Sequence, residues 1–289
     1  MKRTISLILM LCIALLLFSC GKSEITAQEI YDAGLVEHML ESHQSVSVLY
    51  KMDGEVLIEA YLTDEYSYVY YPGEQFLGAQ YMTDSASYAY SDGDCVRYLY
   101  ITPDGVTNDF ASDRAELFFG DFTLNIMTEV IESVTEKDGR MTVKSVLSEQ
   151  ALAELATEGI VFASSEYVLD AETRELISVA SSYTYEDGAI FRMEMEITYD
   201  AEKPELLRTI LGYESQTEDL RGVTVVSNPG TSAERSQSLQ IPAGLIVGFT
   251  FGDEFEDRVA FYTDAACTMA YDPYADTASD LTVYVRWPE

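Results

Sequence analysis

The chain has 289 residues, of which 50 are acidic and 17 basic, so its net charge at pH 7 is −33. This charge argues against nucleic acid as a partner, because phosphate groups are bound by lysine and arginine, and against adsorption to anionic lipid head groups. Hydrophobic residues make up 47% of the chain and include 21 tyrosines and 12 phenylalanines, which is enough for a sizeable core and argues against disorder.

The N-terminus has a basic start followed by an apolar run over residues 5–18. A membrane-spanning helix needs about 20 apolar residues, so this shorter run favours a signal peptide. The run ends in Leu17-Phe18-Ser19-Cys20, where a small residue directly before a cysteine resembles the lipobox of bacterial lipoproteins. The resemblance implies that residues 1–19 are a signal peptide and that Cys20 is lipidated. A plain signal peptide and a membrane span are the alternatives.

Lipidation at Cys20 implies a protein held at the extracytoplasmic face of the cell membrane. One acyl chain gives only marginal binding, so the anchor is expected to be of the diacylglyceryl type, with two chains. Residues 20–25 are predicted to be a short, lipidated tether. The acidic body should be repelled by an anionic surface, which favours a molecule held away from the membrane.

A helix and then a sheet are predicted after the tether. Thr26 and Glu29 have the spacing of a capping box, and apolar residues at intervals of three or four continue the helix to about Glu41. From Ser45 the hydrophobic period changes to two, and six short strands separated by tight turns extend to Thr102. This spacing predicts an antiparallel meander.

The following segment is predicted to return to strands after an ambiguous stretch at residues 106–128, in which Ser112 could start a helix. Ser148 is expected to cap a second helix, and Gly159 to stop it. The predicted strands cover residues 129–136, 140–147, 161–169, 176–185 and 190–199.

This order of elements over residues 26–200 resembles the lipoprotein-carrier half-barrel family, of which LolA and LppX are examples. The most specific stretch runs from Tyr167 to Leu176, where a strand ends in Asp-x-x-Thr, and is followed by a hairpin at Glu186-Asp187-Gly188. The resemblance implies an α+β fold in which a curved antiparallel sheet, a half-barrel, carries helices on its concave face. In that family the sheet encloses an apolar cavity for acyl chains.

A small β module is predicted for residues 223–289, after a linker at residues 201–222. Phe261 to Cys267 and Leu281 to Trp287 resemble the end of an internalin-type B repeat. That resemblance implies a small β-grasp-like module of the cell surface, used as a spacer or weak interaction domain without catalysis. The strands of this module are predicted at residues 223–227, 245–251, 259–262 and 281–287.

Catalytic chemistry has few candidate residues. The two histidines, His38 and His43, are five residues apart, about 140° around a helix, whereas a zinc pair needs one helix face. We interpret them as surface residues or as partners of a helix C-terminus. Cys95 follows Asp94, and a neighbouring carboxylate disfavours the thiolate form. We therefore predict no enzyme, no catalytic residue and no cofactor.

Acidic turns and cysteines have simple interpretations. Asp92-Gly93-Asp94 and residues 253–257 carry oxygen ligands that could hold calcium, but neither forms an EF-hand loop, and solvated turns are favoured. No metal site is predicted. Cys95 and Cys267 are predicted to be free thiols, because they are far apart in sequence.

Tyrosines provide the candidate ligand site. They alternate along three predicted strands, so that those of one strand share one face of the sheet. The seven candidates are Tyr66, Tyr68, Tyr70, Tyr88, Tyr90, Tyr98 and Tyr100. A concave face lined by tyrosine could receive an acyl chain or stack on a sugar ring. The alternative is ordinary cross-strand packing with the hydroxyl groups at the rim.

These observations predict a membrane-anchored lipoprotein that binds a hydrophobic or lipid-like ligand in a half-barrel cavity. Each buried methylene of an acyl chain would contribute about 0.8 kcal/mol. A non-catalytic interaction or structural module, with the half-barrel filled by its own helices, is the alternative, and a carboxylate-based hydrolase is the third hypothesis. The expected partners are the membrane, through Cys20, a lipid or hydrophobic small molecule, and a cell-surface partner, but no nucleic acid.

Overall fold

The structure is a computed structural model that describes residues 25–73, 78–114, 125–252, 259–275 and 278–288. The predicted signal peptide, Cys20 and most of the tether lie outside the described residues, as does the acidic loop at residues 253–257. Within the described ranges the chain is mostly antiparallel sheet with a few short helices.

Six strands form the predicted meander at the start of the larger sheet. Each pairs antiparallel with the next, which confirms the prediction. The strands are β1 (Val46–Met52), β2 (Glu55–Leu62), β3 (Tyr66–Tyr70), β4 (Ala79–Thr83), β5 (Ser87–Ser91) and β6 (Asp94–Thr102). A two-residue strand, β7 (Gly105–Val106), folds back on β6.

A second antiparallel meander continues the same sheet on the other side of β1. Its strands are β8 (Glu129–Lys137), β9 (Arg140–Leu147), β10 (Ile160–Asp170), β11 (Leu176–Tyr185) and β12 (Ile190–Tyr199). The last of these, β12, pairs antiparallel with β1 and joins the two meanders, while β8 lies at one end of the strand order. The described sheet is therefore open, and all five strands lie within two residues of their predicted bounds.

The N-terminal helix is divided in two, as α1 (Ala27–Ala33) and α2 (Val36–Ser42). The predicted capping box is present, since the Glu29 N–H donates to Thr26 Oγ1 at 3.2 Å and the Thr26 N–H donates to Glu29 Oε2 at 2.7 Å. The prediction of one continuous helix is wrong because Gly34 ends α1 and Leu35 takes an extended backbone, with ψ at 128°. Glycine is among the weakest helix formers.

A third helix, α3 (Glu149–Leu155), confirms the prediction for the segment after β9. The Ser148 side chain accepts a hydrogen bond from the Ala151 N–H at 3.3 Å. A short 3-10 turn follows, and Gly159 ends it in the left-handed conformation, with φ at 80°. Such a conformation suits glycine, which has no Cβ to clash.

The segment predicted to be a linker contains a fourth helix, α4 (Glu205–Glu214). Downstream, β13 (Leu220–Ser227), β14 (Arg235–Pro242), β16 (Phe261–Tyr262) and β17 (Leu281–Val285) form a second sheet in the order β14-β13-β17-β16. The remaining strand, β15 (Ile246–Thr250), instead pairs in parallel with β6 at the edge of the larger sheet. The predicted linker and the predicted C-terminal module therefore both contact the larger sheet. Helix α4 packs on that sheet, β15 pairs with its edge, and Val223 of β13 shares a core with Leu99 of β6.

Helices cover both faces of the larger sheet, whereas they were predicted on one face only. The face that we call the α1/α2 face packs its buried residues, such as Val48 and Ile197, against α1, α2 and Ile126. The opposite face, the α4 face, packs its buried tyrosines against Leu207 and Ile210 of α4. The single-face prediction is wrong because α4 was not recognised as a helix.

Gly78 provides a test of the pairing between β4 and β5. It has φ at +53°, and a Cβ at this position would lie 2.1 Å from the backbone oxygen of Tyr90. The contacted atom belongs to the backbone of a paired strand and cannot rotate away. We expect Gly78→Ala to lower the free energy of unfolding by about 2 kcal/mol or more, measured by urea denaturation.

Gly54→Ala is the matched control, because Gly54 has φ at +86° but no described heavy atom beyond its chain neighbours lies within 4 Å of the place that a Cβ would occupy. This variant should show only the strain of a positive φ, about 1 kcal/mol. Equal destabilisation by the two variants would contradict the described approach of β4 to β5.

Candidate functional site

The strand register divides the seven candidate tyrosines between the two faces of the sheet. Tyr68 pairs with Tyr81, which in turn pairs with Tyr88, so these rings share the α4 face. Tyr88 then pairs with Arg97, and because neighbouring side chains point to opposite faces, the residues on either side of Arg97 lie on the other face. Tyr66, Tyr68, Tyr70, Tyr88 and Tyr90 thus lie together, and Tyr98 and Tyr100 lie on the α1/α2 face.

The tyrosines of the α4 face are packed as a core. Tyr68 and Tyr88 are each only 1% exposed, and burial raises the pKa of Tyr68 above its ordinary value. Tyr81 lies between them and donates a hydrogen bond of 2.6 Å from its hydroxyl to Glu214 Oε2 at the end of α4. This arrangement matches the cross-strand packing alternative. A ligand-lining role for these tyrosines stays a prediction.

One candidate tyrosine, Tyr66, lines a cleft of about 420 Å³ beside α4. Its ring stacks on Tyr61 with the centroids 6.3 Å apart, and Lys203 Nζ lies 5.4 Å from its centroid. The rest of the lining includes the carboxylates of Asp64 and Asp200. Such a lining suits a polar molecule more than an acyl chain.

A different group of apolar side chains lies on the α1/α2 face, at the end of the strands that is farther from α1 and α2. These five side chains, which we call the apolar end, are Tyr50, Met52, Tyr183, Phe191 and Met193. Met52 pairs with Met193, and Tyr183 pairs with Phe191 with ring centroids 6.3 Å apart. All five are partly buried, whereas Val48 and Ile197 further along the same strands are buried beneath α1 and α2.

Sequence reasoning missed the apolar end, although a signal was present. In β12, Phe191, Met193, Met195 and Ile197 alternate with charged and polar residues, which predicts one apolar face. The sequence does not show how far the helices extend over that face. The structure shows that burial increases from Phe191 toward Ile197.

A carboxylate held by three hydroxyl groups lies beside the apolar end. Glu129 of β8 accepts hydrogen bonds from Ser145 (2.5 Å), Ser165 (2.6 Å) and Tyr167 (2.8 Å). Ser145 and Ser165 are 1% and 7% exposed, and burial together with the nearby carboxylate raises the pKa of Tyr167. Three hydroxyl groups from two strands, β9 and β10, therefore satisfy this carboxylate in a partly buried position.

The hydroxyl groups continue as a row across the sheet. Ser145 pairs with Ser165, Ser165 with Ser181, and Ser181 with Met193 of the apolar end. The Oγ atoms of Ser165 and Ser181 are 3.0 Å apart, within hydrogen-bonding distance. We call Glu129, Ser145, Ser165 and Ser181 the serine row. Sequence reasoning did not find it, because each member comes from a different strand.

His43 lies between two carboxylates, in an arrangement that we call the His43 clip. Its Nδ1 lies 2.9 Å from Asp200 Oδ2, its Nε2 lies 2.8 Å from Glu175 Oε1, and its ring lies 4.4 Å from that of Tyr199. Hydrogen bonds to Asp200 and then to Glu175 raise the pKa of His43 above its ordinary value. His43 ends α2, consistent with its interpretation as a residue at a helix C-terminus, and its side chain also cross-links α2 to the sheet.

His38 is exposed, and its Nδ1 lies 2.9 Å from the Asp32 backbone oxygen in the same helical hairpin. It lines a second cleft, of about 300 Å³, between α2 and the turn from β10 to β11. Charged groups of both signs, including Glu29 and Arg174, line the same cleft.

Both described cysteines are free thiols, as predicted. Cys95 is buried on the α4 face, and burial raises the pKa of its thiol to about 12, which opposes formation of the thiolate. Asp92-Gly93 forms a tight turn between β5 and β6, with both residues at positive φ. Among the described residues, no group of three or more His, Cys, Asp or Glu is placed to hold a metal ion.

No helix in the described ranges is both long enough and apolar enough to cross a membrane.

Three solved structures are similar to the chain at about 10% identity. The Mycobacterium tuberculosis lipoprotein LppX is 10% identical, with a TM-score of 0.35 over 62% of this chain and 96% of LppX. A LolA superfamily protein from Nitrosomonas europaea is 9% identical, with a TM-score of 0.23 over 64% and 97% of the two chains. MucB in complex with MucA(peri) is 10% identical, with a TM-score of 0.28 over 62% and 56%.

The families named from the sequence, LolA and LppX, thus recur among the similar structures. At these identities and TM-scores, nothing about ligand, partner or anchoring follows from the likeness. No protein-family model matches the sequence, and a comparison with curated proteins finds no match.

The His43 clip predicts a pH-dependent contribution to stability. Since the pKa of His43 is raised in the folded state, the contribution is complete below the ordinary value of 6.5 and is lost as pH rises through the folded value. We expect the difference in unfolding free energy between the wild type and His43→Gln to be larger at about pH 5.5 than at about pH 8.5.

Urea denaturation at the two pH values measures this difference, with His38→Gln as the matched control. Because His38 is exposed and contacts a backbone oxygen, its substitution should have little effect at either pH. A His43 effect that does not change with pH would contradict the charged clip.

Proposed function

We propose that the protein is an extracytoplasmic lipoprotein, anchored through Cys20, that holds a hydrophobic or lipid-like ligand against the apolar end of the α1/α2 face. The observation that carries the proposal is the set of five partly buried apolar and aromatic side chains that share this end of the sheet. The proposal assigns no catalytic role to the protein.

The apolar end has the chemistry that acyl chains require. Two methionines supply flexible, polarisable side chains that adapt to the shape of a ligand, and Tyr50, Tyr183 and Phe191 supply rigid aromatic surface. Most of the free energy of binding would come from desolvation, at about 0.8 kcal/mol for each methylene buried. The ligand would thus extend the core that α1 and α2 already form on the same face.

The start of the folded body supports a short anchor. Ile25 is only 5% exposed and packs with the core of the α1/α2 face. An extended chain spans at most about 17 Å between Cys20 and Ile25. A lipid on Cys20 would therefore hold the N-terminus of α1 close to the membrane.

One observation favours the alternative of an interaction or structural module. The α4 face is filled by the protein's own helix, with Leu207 and Ile210 fully buried against the tyrosines. This is the arrangement expected when a sheet is closed by its own helices. The alternative applies to the whole protein if the apolar end proves unable to bind a ligand.

Phe191→Ser tests the proposed ligand site. The neutral dye Nile red, whose fluorescence rises in apolar surroundings, should bind the wild type. Loss of the partly buried ring of Phe191 should weaken dye binding by roughly tenfold, equivalent to about 1.4 kcal/mol. Fluorescence titration gives the dissociation constants.

Ile190→Ser is the matched control. Ile190 directly precedes Phe191 in β12, is 56% exposed and faces the other side of the sheet. It should bind Nile red as the wild type does. Equal binding by both variants would place the dye elsewhere, and absence of binding by the wild type would favour the interaction module.

Cys20→Ala tests the anchor. Expressed with its signal peptide in a bacterial host, the wild type should sediment with membranes and incorporate labelled palmitate, because two acyl chains give stable attachment. The variant should be unlabelled and appear in the soluble fraction. The neighbouring substitution Ser23→Ala should leave both properties unchanged, and labelling of the Cys20 variant would contradict the assignment.

A further inference from the structure

The serine row carries information about the polar group of the ligand, because the hydrogen bonds within it have a fixed direction. A carboxylate can only accept hydrogen bonds, and Ser145, Ser165 and Tyr167 each donate one to the carboxylate of Glu129. A hydroxyl group has one proton to donate. The proton of Ser165 is therefore used by Glu129.

The direction of the next hydrogen bond follows from that count. Ser165 and Ser181 are in contact at 3.0 Å, and since Ser165 already donates to Glu129, Ser181 must donate to Ser165. The proton of Ser181 is then also used. What remains at Ser181 Oγ is acceptor capacity, polarised by the carboxylate two hydrogen bonds away.

Ser181 lies at the boundary between the serine row and the apolar end. It pairs with Met193 across β11 and β12, and the next pair on the same face is Tyr183 with Phe191. A ligand against the apolar end would meet an acceptor, with the charge of Glu129 behind it. A polar group that can only accept hydrogen bonds finds no donor at Ser181 Oγ.

The basic residues of these strands do not offset that charge. Lys51, Lys144 and Arg192 alternate with the residues of the α1/α2 face and lie on the opposite side of the sheet. Two of them are paired there, Lys51 with Glu196 at 2.6 Å and Lys144 with Glu166 at 3.2 Å. The charged group that these contacts place next to Ser181 is therefore the carboxylate of Glu129, which is two hydrogen bonds away.

We propose that the ligand of the apolar end is an amphiphile whose polar group donates hydrogen bonds, a long-chain amine or alcohol, and that the serine row rejects fatty-acid anions. This inference rests on the proposed function. An ammonium or hydroxyl group can donate to Ser181 and is compatible with a nearby carboxylate. A carboxylate head group is repelled by Glu129 and finds no donor at Ser181.

Displacement of Nile red from the wild type tests the proposal. The competitors are dodecylamine, dodecanol and dodecanoate, which share one chain length and differ in the polar group, each used below its micelle-forming concentration at neutral pH. We expect the amine and the alcohol to displace the dye at concentrations roughly tenfold lower than dodecanoate, equivalent to about 1.4 kcal/mol. The neutral alcohol separates hydrogen bonding from attraction by the acidic protein as a whole.

Glu129→Gln should remove most of the preference for amine over carboxylate. The matched control is Glu166→Gln, which changes the net charge equally but lies on the opposite face of the sheet, 44% exposed. This control should keep the preference of the wild type. If both variants lower the preference to the same extent, general electrostatic attraction explains it and the proposal is overturned.

Ser181→Ala keeps the proposal testable if Glu129→Gln does not fold. It leaves all three hydrogen bonds to Glu129 in place and removes the acceptor beside Met193, together with the hydrogen bond that Ser181 donates to Ser165. Dodecylamine and dodecanol should bind more weakly to it, and dodecanoate equally well. Equal displacement by all three competitors in the wild type would overturn this proposal alone, whereas absence of Nile red binding would overturn both proposals.

Discussion

The antiparallel pairing of β1 with β12 is the constraint on which the rest of the structure depends. It joins residues 46–52 to residues 193–199, far apart in the sequence, and so converts two local meanders into one sheet. Val48 and Ile197 become neighbours on one face, where α1 and α2 cover them. The same pairing brings Asp200 next to His43 and Met193 next to Met52. Both the helix clip and the apolar end follow from it.

Local sequence patterns predicted most of the strands. The elements that were not predicted, β14 and α4, depend on packing between residues that are distant in the sequence. Turns such as Asp53-Gly54 and Asp138-Gly139 define hairpins through residues at positive φ, so they could be recognised in the sequence. The strand β14 could not, because its residues are mostly polar and exposed and show no apolar alternation. The helix α4 is short, and it is stabilised by the tyrosines on which it packs, which are distant in sequence.

The candidate site was less predictable than the fold, for a related reason. Alternation shows which tyrosines of one strand share a face, but only the register shows that Arg97, and not Tyr98, lies opposite Tyr88. Glu129, Ser145, Ser165 and Ser181 each come from a separate strand. No local pattern connects such residues. Their relation is a property of the completed sheet.

The parallel pairing of β15 with β6 has a consequence for the order in which the protein can fold. Residues 246–250 cover the edge of β6, although about 145 residues separate the two strands in the chain. During synthesis from the N-terminus, β15 is made long after the first meander. Until then, the edge of β6 that β15 covers in the folded protein has no partner strand. Exposed edges can pair with other chains, so this interval is when the protein is most open to aggregation. A truncation before β15 would make that interval permanent.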